Sequence, residues 1–248
     1  MAIDFEASSS QYLVTGAAPH AAVPLTMSFW FNSESTNNQV SLWYGRGATT
    51  RAFYLQLNGS QNVDAVTNLG GTFAVATTST TWGTSAWHHA CGVFDAVDSR
   101  AAFLDGGGKG TDATSVTPVD INVINIGSYY GGARSNFHDG LMADIAIWNA
   151  ALSDAEVVIL AAGYSPLFVR PQSLFSYWPL VGRHSPAIDV VGGYDATWNA
   201  SPVAAAHAPI FFAAPAYYQS LATSVAAAVP IFSADAMHST IFGGQVIR

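Results

Sequence analysis

Short runs of β-branched and aromatic residues alternate with turn-forming residues from Ala2 to about residue 140. The clearest runs are LTMSFWFN, AFYLQLNG, AWHHACGVF, RAAFLDGG, NVINIGSYY and LMADIAIWN. In LTMSFWFN both alternate sets of positions are largely apolar, which is typical of a central strand covered on both faces. The segment LDGGGKG carries the Asp-Gly signal of a tight hairpin. The pattern predicts a two-sheet antiparallel sandwich.

A single helix is predicted within this strand pattern. In SDAEVVILAAG, Ser153 and Glu156 have the spacing of a capping box, and Gly163 stands where a helix commonly ends. We therefore expect one short helix over residues 154–162. The segments LFSYWPL and YDATWNA then resume the strand pattern.

The last part of the chain differs in composition. Between Asp195 and Asp235 lie 39 residues with no Asp, Glu, Lys or Arg. An apolar segment of this length drives association when it is exposed, and its prolines disfavour a compact domain. We expect one domain over residues 1–205 and an assembly arm over residues 206–248 that contacts another copy or another protein; extra strands on the same domain are the alternative. The arm aromatics are Phe211, Phe212, Tyr217, Tyr218, Phe232 and Phe242.

Charge excludes one class of partner and bears on location. Only 10% of the 248 residues are charged, the net charge is −8, and Lys109 is the single lysine. Without a basic run to neutralise phosphates, nucleic-acid binding is not expected.

The sequence contains no uninterrupted run of 18 apolar residues, so a membrane span is not expected. The N-terminus MAIDFEASSSQYLVTG lacks signal-peptide features, so we expect either a removed leader or assembly in a cytoplasm.

Two histidines, the only cysteine and several aspartates cluster in TSAWHHACGVFDAVDSRAAFLDG, residues 84–106. On a strand, His89 and Cys91 share one face with Trp87 and Val93, whereas His88 points to the other face. The two histidines therefore cannot ligate one metal. We expect His89 to be a buried, hydrogen-bonded core residue and Cys91 a buried small hydrophobe. We expect Asp95, Asp98 and Asp105 to lie in turns.

The ordered motifs resemble laminin-G-like, concanavalin-type jelly rolls. They are IDFEASSSQYLVTG, LTMSFWFN, AWHHACGVFD, AAFLDGG, INIGSYY and DGLMADIAIWNAALSDAEV, and the similarity extends over about residues 2–205. The resemblance implies an all-β jelly roll in which Trp-His-His and Asp-Gly are sheet and hairpin features. It also implies a likeness to accessory virion proteins of tailed phages. This chain departs from many relatives at Ala143 and Asp144, where they carry an acidic pair, and at His138, where they carry an aromatic residue.

An enzyme is disfavoured by the acidic residues. Glycoside hydrolases of this fold need two carboxylates about 5–9 Å apart, commonly on one strand. The three glutamates, Glu6, Glu34 and Glu156, are scattered, and Glu156 is already explained as part of a helix cap. No nucleophile elbow, metalloprotease motif or P-loop occurs. We expect no catalytic residues and no cofactor.

Sugar binding is one of two remaining functions. Sugar sites combine an aromatic plane with a few polar groups, and SYYGGARSNFHD supplies both on a Gly-rich loop. Trp43 and Tyr44 form a second candidate surface. If calcium were bound, Asp95, Asp98 or Asp139 would supply its ligands together with backbone carbonyls, but no dense acidic loop is present. The candidate glycan-binding residues are Tyr129, Tyr130, Arg134, Asn136 and Asp139.

Assembly is the other function, and the sequence favours it. A low lysine content, no signal peptide and a charge-free apolar tail together suit a virion component that displays a jelly roll and is anchored by its arm. Its partners would be further copies of itself and a virion protein, with surface glycans as a further ligand. The expected location is the virion, assembled in the host cytoplasm, and the alternative is extracellular.

Overall fold

The structure, a computed structural model, describes residues 2–18, 22–181 and 185–208. In these residues the chain forms two antiparallel sheets and one α-helix, α1, at Asp154–Ala161. Three 3-10 turns span Ala7–Ser9, Pro166–Phe168 and Pro171–Ser173. The strands are β1 (Ala2–Phe5), β2 (Tyr12–Thr15), β3 (Leu25–Ser33), β4 (Gln39–Gly45), β5 (Arg51–Leu57), β6 (Val63–Leu69), β7 (Thr72–Thr77), β8 (His88–Ala96), β9 (Ser99–Leu104), β10 (Gly107–Asp112), β11 (Val123–Ile126), β12 (Gly140–Trp148), β13 (Leu174–Trp178), β14 (Ala196–Asn199) and β15 (Val203–Ala205).

Strands that are distant in sequence pair within each sheet. Sheet A has eight strands in the order β10-β9-β8-β3-β12-β1-β15, and β13 pairs with β12 beyond the end of β1. Sheet B has seven strands in the order β14-β2-β11-β4-β5-β6-β7. The long-range pairs β3–β12 and β2–β11 close the chain into a jelly-roll sandwich. The predicted fold class is confirmed, including the central position of β3 between β8 and β12.

The main core lies between the two sheets. Alternate residues of β3, including Met27 and Phe29, meet alternate residues of sheet B such as Leu42 and Leu55. The rings of Phe53 on sheet B and Phe94 on sheet A lie 5.1 Å apart. Each such buried side chain contributes on the order of 2 kcal/mol from removal of apolar surface from water. The period-two pattern therefore selects which face of each strand enters the core.

A second apolar layer covers the outer face of sheet A. Val157 and Leu160 of α1 pack in one cluster with Cys91, Phe103 and Trp148 of the sheet. The helix begins with the predicted capping box between Ser153 and Glu156, and Gly163 follows it with φ +89°. Strand β8 is consequently buried on both faces, and the face of His89 and Cys91 meets the helix layer rather than the main core.

The predicted Asp-Gly hairpin joins β9 to β10. Asp105 and Gly106 both have positive φ values, +52° and +74°. Two consecutive left-handed residues match the twist of a two-residue hairpin, and glycine adopts that backbone without steric cost. The turn approaches helix α1, because a Cβ added to Gly106 would lie 3.1 Å from the Cα of Val158.

The structure corrects the position of Asp95 and leaves the arm undescribed. Asp95 lies in β8 rather than in a turn, because β8 continues to Ala96, whereas Asp98 lies in the turn that follows. Residues 209–248, with all six arm aromatics, lie outside the described residues. The division into a domain over 1–205 and an arm over 206–248 stays a prediction.

Candidate functional site

The outer face of sheet B carries a cluster of aromatic and polar side chains. Strand register places Asn125 beside Trp43, and Trp43 beside Tyr54, on one face. The loop that follows β11 returns over these residues, so Trp43 is fully buried although it points away from the main core. The face therefore has a rigid aromatic base with a polar loop above it.

Arg134 is held between two tyrosine rings at the top of this cluster. Its guanidinium carbon lies 3.7 Å from the ring centroid of Tyr12 and 3.8 Å from that of Tyr130. Its Nη1 atom donates to Oδ1 of Asn125, and Ser128 Oγ lies 3.5 Å away. Partial burial lowers the pKa of Arg134, and the two tyrosines act in the opposite direction. Each cation–aromatic contact stabilises the arrangement by on the order of 1 kcal/mol. We call Tyr12, Arg134 and Tyr130 the Arg134 stack.

The tyrosine pair of the loop rests on the aromatic base. The Tyr130 ring lies 5.8 Å from Trp43, and the Tyr129 ring lies 5.6 Å from Tyr54 in an edge-to-face arrangement. The Tyr129 hydroxyl accepts a hydrogen bond from Nδ2 of Asn68 at 3.3 Å. Both tyrosines are only half-buried, so each keeps part of its ring accessible.

Gly131 allows this loop to fold closely. A Cβ at Gly131 would lie 2.3 Å from the Tyr129 ring, so a side chain there would force that ring to move. Gly131 therefore lets Tyr129 take its position in the cluster.

The structure separates the predicted residues into two groups. Tyr130 and Arg134 are in direct contact, and Tyr129 adjoins them. Asp139 instead ties the loop to the N-terminal segment, because its Oδ1 accepts a hydrogen bond from the Ala7 amide at 3.2 Å. Asn136 is exposed, with φ +49°, and its carbonyl accepts from the Val40 amide at 2.8 Å. The Oδ1 atom of Asp139 is therefore used in a hydrogen bond within the protein.

Sequence reasoning missed two members of the cluster. Tyr12 precedes the core residue Leu13 on β2, and Asn125 lies between Ile124 and Ile126 on β11. Alternation alone predicts that both point outward. That they meet Arg134 depends on the pairing of β2 with β11, which local sequence does not specify.

The second candidate surface, Trp43 and Tyr44, was wrong. The two residues point to opposite faces of β4, and both are buried. Tyr44 belongs to the main core, where its ring stacks on Phe175 at 6.3 Å. Burial raises the pKa of the Tyr44 hydroxyl above its ordinary value. Trp43 supports the Arg134 stack from below.

The histidine and cysteine cluster is part of the sheet. His88 and His89 point to opposite faces, as predicted: the His88 ring packs on Phe31 and the His89 ring on Trp30. Asp105 contacts both residues, through the His88 ring at 2.7 Å and the His89 backbone amide at 2.8 Å.

His89 is buried as predicted, and burial lowers its pKa to about 4. Its Nδ1 atom has no hydrogen-bond partner within the described residues, so the expected hydrogen bond to that ring atom is not found. Cys91 is buried, and the pKa of its thiol is raised by burial. A neutral imidazole and a protonated thiol on a sheet face both fit a role in packing.

The acidic residues do not gather. Within residues 2–18, 22–181 and 185–208, no group of three or more His, Cys, Asp or Glu side chains is arranged to hold a metal ion. Glu6 caps the first 3-10 turn, and Glu156 bonds Ser153 and Arg170. No helix in these ranges has the length and apolarity needed to cross a membrane.

A further concavity of about 620 Å³ lies on sheet A beside the start of α1. Its cationic groups are paired with carboxylates: Lys109 bonds Asp154 at 2.9 Å, Arg100 bonds Asp112, and Arg170 bonds Glu156. The Lys109 ammonium also lies 5.3 Å from the centroid of the Phe103 ring in its wall. The Phe103 ring and the cations of this concavity are therefore already engaged in contacts within the protein.

Comparison with known proteins identifies the fold in other molecules. A putative carbohydrate binding protein from Bacteroides ovatus ATCC 8483 has a TM-score of 0.60 at 15% identity, covering 85% of this chain and 61% of its own. A heptameric SAP-like pentraxin from Limulus polyphemus has a TM-score of 0.52 at 14% identity, covering 66% of this chain and 83% of its own. The CBM40 of a Ruminococcus gnavus IT-sialidase, bound to α2,3 sialyllactose, has a TM-score of 0.50 at 14% identity, covering 64% of this chain and 96% of its own.

These identities are low, and the likeness concerns the fold. This chain spans less than two thirds of the Bacteroides ovatus protein. No curated protein matches the sequence. The family model Laminin_G_3, described as the concanavalin A-like lectin/glucanases superfamily, matches residues 7–158. Because that match covers more than half of the 248 residues and agrees with the observed sandwich, the chain belongs to the laminin-G-like family of this superfamily.

Proposed function

We propose that this protein is a non-enzymatic, lectin-like carbohydrate-binding protein and that its sugar site is the Arg134 stack with the adjoining Tyr129. The observation that carries the proposal is the fixed guanidinium between Tyr12 and Tyr130, at 3.7 Å and 3.8 Å. Sugar recognition needs aromatic surface for the C–H face of the ring and oriented polar groups for the hydroxyls. The stack supplies both within one rigid surface.

Rigidity favours binding at this site. The loop is held on Trp43 and Tyr54 by ring contacts and on Asn125 by hydrogen bonding, so little side-chain freedom remains to be lost when a sugar binds. Two fold relatives support the proposal through what their names state, namely a putative carbohydrate binding protein and a CBM40 bound to sialyllactose.

The proposal excludes glycoside hydrolysis as the activity. Hydrolysis needs a pair of carboxylates flanking one bond. The polar partners of the Arg134 stack in the structure are Asn125 and Ser128, and the carboxylate of Asp139 bonds the Ala7 amide instead. A surface with one fixed cation and hydrogen-bonding groups, but without a pair of carboxylates, is suited to holding a sugar intact.

A direct test is titration calorimetry of the full chain against oligosaccharides identified on a glycan array. Tyr130→Ala removes one wall of the stack, and we expect it to weaken binding by about tenfold, because loss of an aromatic contact worth about 1.4 kcal/mol changes affinity tenfold. Phe168→Ala is the matched control, since this aromatic is 49% exposed and lies in a 3-10 turn of another segment. Equal affinities of the two variants, or no binding to any array glycan, would contradict the proposal.

We also propose that the protein acts as an assembly component, in a virion, that displays this surface and is anchored by residues 206–248. Two observations support it. The sequence from Ala196 to Ala234 has no charged residue. In the described part, exposed apolar side chains occur close to where that stretch begins: Ile188, Val190, Val191 and Val203. Electron microscopy of particles with a labelled chain tests this role separately from sugar binding.

A further inference from the structure

The cations of the described chain differ in how their charge is balanced. Arg46 and Arg51 contact Asp120, Arg100 contacts Asp112, and Lys109 contacts Asp154. Arg170 contacts Glu156. Arg134 contacts two tyrosine rings, Asn125 and Ser128, all of them uncharged. Within the described ranges, Arg134 is therefore the cationic side chain without a carboxylate partner.

The open edge of Arg134 has a defined geometry. Tyr12 and Tyr130 cover the two faces of the guanidinium plane, and Nη1 is used by Asn125. In the described residues Nε and Nη2 make no hydrogen bond to a carboxylate or a carbonyl, and the Tyr12 side chain is the further hydrogen-bond partner of the guanidinium. These two nitrogens form the fork that binds a carboxylate through two parallel hydrogen bonds.

Partial burial makes an anionic ligand favourable here. The two rings exclude water from the faces of the guanidinium, and a half-desolvated charge gains more from an opposite charge than an exposed one does. The fixed position of Arg134 also removes most of the entropy cost of forming a bidentate pair. The rings around it favour a ligand whose anionic group is attached to a compact body that can contact tyrosine.

We infer that the ligand of this site is a saccharide that carries a carboxylate, such as a uronic or sialic acid, and that the Nε and Nη2 atoms of Arg134 bind that carboxylate. The inference rests on the proposed sugar-binding function and specifies its ligand class. It assigns to the sugar body the partly exposed ring surfaces of Tyr12 and Tyr130 that do not face the guanidinium, and it assigns the guanidinium edge to the charge.

The first experiment varies the ligand and leaves the protein unchanged. Calorimetry of the full chain would compare trigalacturonate with its methyl ester and with neutral galactotriose, and 3′-sialyllactose with lactose. We expect each acid to bind at least about tenfold more tightly than its neutral counterpart, because hydrogen bonds to charged groups are roughly twice as strong as neutral ones. The difference should shrink as salt concentration rises.

The second experiment varies the cation. Arg134→Gln should abolish the preference for acidic over neutral sugars, and Arg134→Lys should lose most of it, because lysine keeps the charge without the planar fork. Lys109→Gln is the matched control, since it removes one positive charge from sheet A on a side chain that is 42% exposed. Thermal melting of each variant shows whether the fold is retained, and the ligand comparison above stands even if the Arg134 variants unfold.

The outcomes separate this inference from the function on which it rests. Equal affinity for acidic and neutral sugars, or tighter binding of a sulfated sugar than of a carboxylated one, would overturn the carboxylate assignment and leave sugar binding intact. A preference for acids that persists in a folded Arg134→Gln variant would also overturn it. Failure of every saccharide to bind would overturn both.

Discussion

At the residue scale, two buried histidines, His138 and His89, make the stability of the protein depend on pH. His138 is fully buried, its ring packs edge-on against Phe5 at 6.0 Å, and its Nδ1 lies 3.1 Å from Ser41 Oγ. The resemblance implies an aromatic residue at this position, and the contact of His138 with Phe5 is of the aromatic kind. Burial lowers the pKa of His138, like that of His89, to about 4.

Asp144, next to Ala143 on β12, forms two structural contacts. It is buried in β12 with φ +46°, and it accepts a hydrogen bond from the Tyr177 hydroxyl. The Nε2 atom of His207 lies 3.1 Å from its Oδ2, and interaction with Asp144 raises the pKa of His207 against the effect of burial. This pair attaches the segment after β15 to sheet A.

The two neutral histidines predict acid sensitivity. Their pKa values lie near 4 in the folded state and near 6.5 in the unfolded state, so only the unfolded chain takes up their protons as pH falls from 6.5 towards 4. Each then lowers the free energy of unfolding by about 2 kcal/mol at pH 5 relative to pH 8. We expect His138→Phe to remove about half of the loss due to this pair, measured by urea denaturation at both pH values.

Ser41→Ala is the control for that experiment. It breaks the same hydrogen bond but keeps the imidazole, so it should retain the pH dependence of the parent chain. A His138→Phe variant with an unchanged pH dependence would show that His138 does not remain neutral when the protein is folded.

At the element scale, the β9–β10 hairpin and helix α1 support each other. The Asp105–Gly106 turn lies against Val158 and Ala161, and Lys109 on β10 bonds Asp154 in the first turn of the helix. Exposed pairs of this kind contribute little, at most about 1 kcal/mol, so the close contact of the turn backbone with the helix is the more important link.

Gly106→Ala tests this link. Its φ of +74° disfavours a side chain, and the new Cβ would lie 3.0 Å from Ala161 Cβ and 3.1 Å from Val158 Cα. We expect a loss of unfolding free energy of about 2–3 kcal/mol, of which about 1 kcal/mol is backbone strain. Gly71→Ala is the matched control: φ is +93° there, with nothing within 4 Å, so it should show strain alone. Equal losses in the two variants would disprove the helix contact.

At the scale of the whole molecule, the described sandwich and the remaining sequence have different compositions. The sandwich buries apolar residues in three clusters, and all of its described Arg and Lys side chains except Arg134 contact a carboxylate. The sequence from residue 209 onward is apolar and has no charge until Asp235. That contrast is the basis of the assembly proposal, because a water-exposed apolar segment favours association.

Truncation tests the assembly role. A chain ending at Ala205 would lose His207 and its contact with Asp144, so a chain ending at Ala208 is the cleaner variant and the Ala205 end serves as a comparison. We expect the Ala208 variant to give a soluble sandwich that keeps sugar affinity and no longer oligomerises or enters particles, measured by light scattering and by incorporation. Assembly equal to that of the full chain would remove the support for an anchoring arm.

The sequence by itself determined the parts of the fold that depend on local pattern. Apolar residues at both alternate sets of positions predicted β3 as a central strand, Ser153 and Glu156 predicted the helix start, and Asp105–Gly106 predicted a hairpin. Each depends on neighbours within a few residues, so backbone sterics and burial periodicity suffice. The opposite directions of His88 and His89 follow for the same reason.

Only the tertiary structure decided which surface a ligand would meet. Sequence reasoning included Asp139, Asn136 and the Trp43–Tyr44 pair, and it missed Tyr12, which is more than a hundred residues from Arg134 in the chain. The pairing of β2 with β11 brings Tyr12 and Asn125 together, and the loop then places Arg134 between Tyr12 and Tyr130. Long-range strand pairing is set by burial of the entire sheet, which local residue patterns do not encode.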